Sequence, residues 1–123
     1  MLRRFHNCDD GVWESFVVSY PNNSNVGTAE VTLRARDCDE RQLGHWYNIR
    51  IRIDGVIEFR LTNSSRYYTC VLSSGMQVRT FGDLVWVIFD LDDEAQTVEE
   101  VKGSQFYICG SKCEAEIGPM LLV

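Results

Sequence analysis

No stretch of this chain is apolar over anything close to the roughly 18 residues that a membrane-spanning helix needs, so a spanning helix is excluded. The opening, MLRRFHNCDDG, carries two arginines but no apolar core or small-residue cleavage site behind them. It does not read as a secretory signal, and a cytoplasmic location is expected. Internal repeats and low-complexity tracts are missing, which removes solenoids and compositionally biased tails. None of the nine serines sits in a G-x-S-x-G setting, no cysteine sits in a nucleophile motif, and no phosphate-binding loop is present. Histidine occurs only twice, which leaves little material for acid–base or metal chemistry. The five cysteines, Cys8, Cys38, Cys70, Cys109 and Cys113, form an odd set without framework spacing. That argues against a disulfide-stapled secreted domain and for reduced thiols.

Alternation, by contrast, is plentiful. At 123 residues the chain has room for one domain with a core that needs no staples. Over Trp46 to Leu61, Tyr47, Ile49, Ile51 and Ile53 recur every second residue, with Asn48, Arg50 and Arg52 between them. Ile57, Phe59 and Leu61 then repeat the pattern around Glu58 and Arg60. Asp54-Gly55 between two such runs predicts a hairpin with a type I′ turn, because both central residues of that turn need positive φ. Val12 to Tyr20 predicts a strand ending in the turn-rich Pro-Asn-Asn-Ser-Asn, and Ala29 to Arg36 a cleaner one with Val31, Leu33 and Ala35 facing one way. Tyr67 to Leu72 and Met76 to Phe81 predict two further strands that pair with each other. Leu84 to Phe89, LVWVIF, is apolar at every position and predicts a central strand covered on both faces. Thr97 can cap a short helix with Glu100 three residues on, the only helix expected. Gln105 to Cys109 and Lys112 to Ile117 predict two last strands around a tight turn at Gly110-Ser111. The resulting fold class is mainly β, an antiparallel sandwich or partly open barrel of about eight strands.

Charge is unevenly placed. Residues 1 to 79 hold ten Lys and Arg against nine Asp and Glu, whereas residues 80 to 123 hold two against nine, giving the net charge of −6. Asp90, Asp92, Asp93, Glu94, Glu99 and Glu100 lie in one segment with no basic residue, which should repel nucleic acid and membrane headgroups. The segment lacks the Gly and the terminal Glu of a calcium-binding loop, with Ala95 and Val101 at those positions. Arg34, Arg36, Arg50, Arg52 and Arg60, interleaved with Glu30 and Glu58, fit cross-strand pairing on a solvated sheet face better than an anion site. The aromatics Trp13, Trp46, Tyr67, Tyr68 and Trp86 fit core positions better than stacking platforms.

Two metal arrangements can be drawn. His6, Cys8, Asp9 and His45 form one candidate ligand set, and Cys109 with Cys113 another; neither has the second close pair that marks a structural zinc site. No cofactor is expected.

Phe5-His6-Asn7 near the start, with Trp46 leading into Gly55-Val-Ile-Glu-Phe-Arg-Leu, resembles small bacterial β-rich proteins of the immunity-50 type of toxin-immunity protein. The resemblance covers about the first half of the chain, and Asn7 stands where that family has Asp. It implies no catalytic residue; it implies a non-enzymatic protein that covers a cognate toxin. If the toxin is basic, the six carboxylates from Asp90 to Glu100 are the expected partner-binding residues, and the protein would be a monomer or homodimer. The alternatives are a small metal-dependent enzyme or metal-binding protein built on the His6 region, and a structural β module that self-assembles through a sheet edge.

Overall fold

The computed structural model describes residues 8, 11–23, 25–37, 45–61, 71–72, 75–91, 93–104 and 106–121. They form nine strands in two antiparallel sheets, with one short helix. In the first sheet, β1 (Gly11–Ser19), β2 (Gly27–Arg36), β3 (Trp46–Val56), β5 (Val71–Leu72) and β9 (Lys112–Leu121) run in the order β5-β1-β2-β3-β9. Alternation decides which face is which. Val31, Leu33, Ile51 and Ile53 are fully buried, while Glu30, Arg34, Arg50 and Arg52 stand on the open side.

The second sheet holds β4 (Glu58–Leu61), β6 (Met76–Phe81), β7 (Leu84–Phe89) and β8 (Phe106–Gly110) in the order β4-β8-β7-β6. Among the described residues the sheets do not close on each other, so the fold is a sandwich. Val87, Phe89, Phe106 and Ile108 meet the apolar face of the first sheet and complete the main core. Phe106 stacks on Phe89 with centroids 4.3 Å apart and stands edge-on to Phe16 at 5.3 Å. Each such buried side chain contributes roughly 1.5–3 kcal/mol.

The continuous apolar run of β7 does have cover on both faces. Trp86 and Ile88 point away from the main core into a second cluster with Tyr107 and Cys109. That cluster is closed by Ala95 and by Val101 of α1 (Val98–Lys102), both fully buried. The acidic segment and its helix therefore form a third layer over the outer face of the second sheet.

The expected hairpin at Asp54-Gly55 does not form. β3 pairs with β2 and β9, whereas β4 pairs with β8 in the other sheet. Gly55 has φ of 65°, but Asp54 does not share a positive φ, and a type I′ turn needs both. The chain instead bends at Gly55 and crosses from one sheet to the other. The expected turn at Gly110-Ser111 is the matching crossing, since β8 and β9 also lie in different sheets. Trp46–Leu61 and Phe106–Leu121 thus run together as one long antiparallel ribbon, Trp46 opposite Leu121 at one end and Leu61 opposite Phe106 at the other. At the corner the Ser111 N–H donates to the Asp54 carbonyl at 2.9 Å and the Ile57 N–H to the Cys109 carbonyl at 3.1 Å. Strands that switch sheets at such bends are a known way to corner a sandwich.

Two further expectations change. β6 pairs with β7 through a two-residue loop at Gly82-Asp83, and β5 pairs with β1. The rest of the expected strand from Tyr67 lies outside the described residues. Phe59 and Leu61 do face the core side, opposite Ile108 and Phe106, but among the described residues β4 is the last strand of its sheet, and Ile57, Phe59 and Leu61 stay 52%, 41% and 43% exposed.

Candidate functional site

The acidic layer is built from the residues that anchor it. The Gln77 side chain on β6 donates to the carbonyls of Leu91 at 3.2 Å and Asp93 at 2.8 Å, and accepts from the Ala95 N–H at 2.9 Å. One amide thus ties the segment to the sheet at three points, with Ala95 seated in the apolar cluster. Thr97 caps α1 as expected, its hydroxyl accepting from the Glu100 N–H at 3.2 Å. Glu100 reaches back to the Gln96 N–H at 2.8 Å, one residue earlier than in the usual capping box. Lys102 in the last turn suits the helix C-terminus.

The expected partner-binding residues divide accordingly. Glu94 is ion-paired with Arg79, and Glu100 is occupied by the cap. Asp90 sits at a bend with φ of 57°, directly after β7, its N–H donating to the Gly75 carbonyl at 2.8 Å. Asp93 and Glu99 are exposed and have no side-chain ion pair among the described residues. Asp92 lies outside the described residues. The sequence identified the acidic run; it did not identify Gln77, whose role depends on a contact 14 to 18 residues away.

The open face of the first sheet carries Arg34, Arg36, Arg50 and Arg52, whereas Arg60 lies on β4 of the second sheet. Arg34 pairs with Glu14, which sits at the register shift of β1. Arg50 lies between Glu30 at 3.2 Å and Glu116 at 3.9 Å, Arg52 reaches Asp54 at 3.0 Å, and Lys112 reaches Glu114 at 2.7 Å. These exposed pairs alternate in sign across β1, β2, β3 and β9 and satisfy one another. Exposed pairs of this kind add little to stability, and together they leave no concentrated positive patch among the described residues. A shallow open depression of about 470 Å³ lies over them, lined by Glu30, Arg50, Arg52, Glu114 and Glu116.

The cysteine pair does not converge. Cys109 on β8 faces the second cluster beneath the acidic layer, whereas Cys113 on β9 packs against the main core. Burial pushes the Cys109 thiol up to about 11, with Glu58 adding to it. Burial likewise raises Cys113, with Glu114 assisting. Both thiols are protonated at neutral pH, unlike reactive or ligating cysteines. Cys8 is fully buried in the main core and His45 is exposed, its carbonyl accepting from the Asp37 N–H. His6 and Asp9 lie outside the described residues, and among the described residues no three His, Cys, Asp or Glu side chains form a metal-holding group. Trp86 is buried in the second cluster and Trp13 packs on Phe106 at 5.3 Å, so both serve as core. Tyr67 and Tyr68 lie outside the described residues. No helix of the described residues is long and apolar enough to cross a membrane.

Compared with family models, curated proteins and solved structures, the chain matches none.

Proposed function

We propose that this chain is a non-enzymatic binding protein that occludes a basic protein partner, in the manner of a bacterial toxin-immunity protein, and that residues 90–100 form the contact surface. One observation carries the reading: the acidic segment is a fixed layer of the fold, pinned by Gln77, Ala95, Val101 and the Thr97 cap. Carboxylates displayed on such a scaffold need little ordering when a partner arrives, so less binding free energy is lost to conformational entropy. The net charge of −6, concentrated in the C-terminal third of the chain, would draw in a basic surface and act mainly on the association rate. Asp93 and Glu99 would supply the contacts, because their side chains have no ion pair to give up among the described residues. Glu94 and Glu100 would hold the platform. Such a protein would act in the cytoplasm, where its toxin works.

The test uses a basic toxin-like domain, sought in the reading frames that neighbour this gene. Co-expression should protect a bacterial host, and the purified pair should associate. Asp93→Asn with Glu99→Gln should slow association about tenfold at low salt and flatten its salt dependence. An intact complex with unchanged kinetics would reject this surface. Failure of that domain to bind, or of the chain to protect, would reject the immunity reading.

A further inference from the structure

Strand β4 is the outermost strand of the second sheet, and among the described residues its one ladder partner is β8. Its rim carries Phe59 and Leu61, and Ile57 directly precedes it, each more than 40% exposed, with Glu58 and Arg60 between them. Exposed apolar edges recruit other strands, and proteins commonly defend them with a charge that repels a second copy. Here the two charges are opposite in sign and sit symmetrically about Phe59. We infer that β4 is a homodimer interface in which two copies pair antiparallel about a two-fold axis at Phe59, joining their second sheets into one.

The order of side chains specifies that arrangement. About such an axis Glu58 lies opposite Arg60 of the second copy, and Arg60 opposite Glu58, while Phe59 meets Phe59 and Ile57 meets Leu61. Every opposed pair is thus either oppositely charged or apolar on both sides. Moving the register two residues either way sets Glu58 against Glu58 or Arg60 against Arg60. Parallel pairing in register also brings like charges side by side. Only the two-fold arrangement sets each charge opposite one of the other sign, in an isologous contact.

The neighbouring layer is compatible with it. Glu58 receives Lys102 Nζ at 3.7 Å and the Tyr107 hydroxyl at 3.3 Å, and Arg60 Nη1 donates to the Lys102 carbonyl at 3.2 Å. These contacts hold both charged side chains on the outer face, beside the edge. The surface is distinct from the acidic segment. Five residues bury less than an obligate interface does, so the dimer should be weak and concentration-dependent.

Sedimentation equilibrium of the full chain over a concentration series should show a reversible monomer–dimer equilibrium. Glu58→Arg alone and Arg60→Glu alone should each weaken it about tenfold or more, by turning both cross-strand pairs repulsive. The double variant E58R/R60E should restore it, and mixing the two single variants should yield a heterodimer. Phe59→Lys, which leaves the Lys102 contacts untouched, should abolish it. A chain that stays monomeric throughout overturns the inference. So does a dimer that neither single charge change weakens, or that the double change fails to restore.

Discussion

Asp54-Gly55 and Gly82-Asp83 contain the same two residue types, and the chain does different things at each. At Gly82-Asp83 it reverses, and β6 pairs with β7 from Phe81 opposite Leu84 to Met76 opposite Phe89. At Asp54-Gly55 it bends and moves on into the other sheet. Both glycines take nearly the same φ, 64° and 65°. Glycine encodes the local conformation in both cases. The path beyond each glycine is decided by the strands on hand to pair: β7 is the nearest partner for β6, whereas β3 and β4 are each claimed by strands from the far end of the chain.

The largest effect should come from the corner's other glycine. A Cβ at Gly110 would lie 2.5 Å from Ile53 Cγ2 and 2.6 Å from the Asp54 carbonyl oxygen, and the backbone there is held opposite Val85 in the β7 ladder. Gly110→Ala should cost about 3 kcal/mol, seen as a lower urea midpoint. Alkaline pH should come next. The Cys109 thiol titrates near 9 when unfolded and about 11 when folded, so its contribution is intact below pH 9 and lost as pH rises toward 11. Tyr107, raised by burial and by Glu58, acts in the same direction. Stability should fall by on the order of 2 kcal/mol between pH 8 and pH 11, and Cys109→Ala should make that fall shallower. The smallest effect is a difference between the two loops. Gly82→Ala meets nothing within 4 Å and bears only the positive-φ penalty of about 1 kcal/mol, whereas Gly55→Ala also collides with Ser111 Oγ and should cost about 2 kcal/mol. Equal losses in thermal melts would mean that the corner is no tighter than the hairpin.

Faces were more legible than partners. Val31, Leu33, Ile49, Ile51 and Ile53 are buried as period two predicts, and the all-apolar run of β7 is covered on both sides. Those inferences depend on nearest neighbours along the chain. The corner is not legible locally, because alternation interrupted by Asp-Gly is common to a hairpin and to a strand that changes sheets; only the sequence-distant partners β8 and β9 separate the two. The rim exposure of Phe59 leaves no local signal for a related reason, since period two assigns a face and not a position across the sheet. In the candidate site, the Thr97–Glu100 cap was legible from four residues. That the acidic segment covers β7 was implicit in the need for a second cover, but the anchor at Gln77 left no local signal.

The long ribbon also sets an order of assembly. Trp46–Asp54 finds its outer partner only when Lys112–Leu121 is in place, some sixty residues later. On a ribosome, β3 would lack its β9 partner until the intervening residues are translated. Non-local pairing of this kind slows folding and prolongs exposure of unpaired strands. Arg50 and Arg52, which end up in ion pairs with Glu30, Glu116 and Asp54, would meanwhile repel the same strand of another nascent chain. The charges that look ornamental in the finished sandwich would then serve the chain most before it is complete.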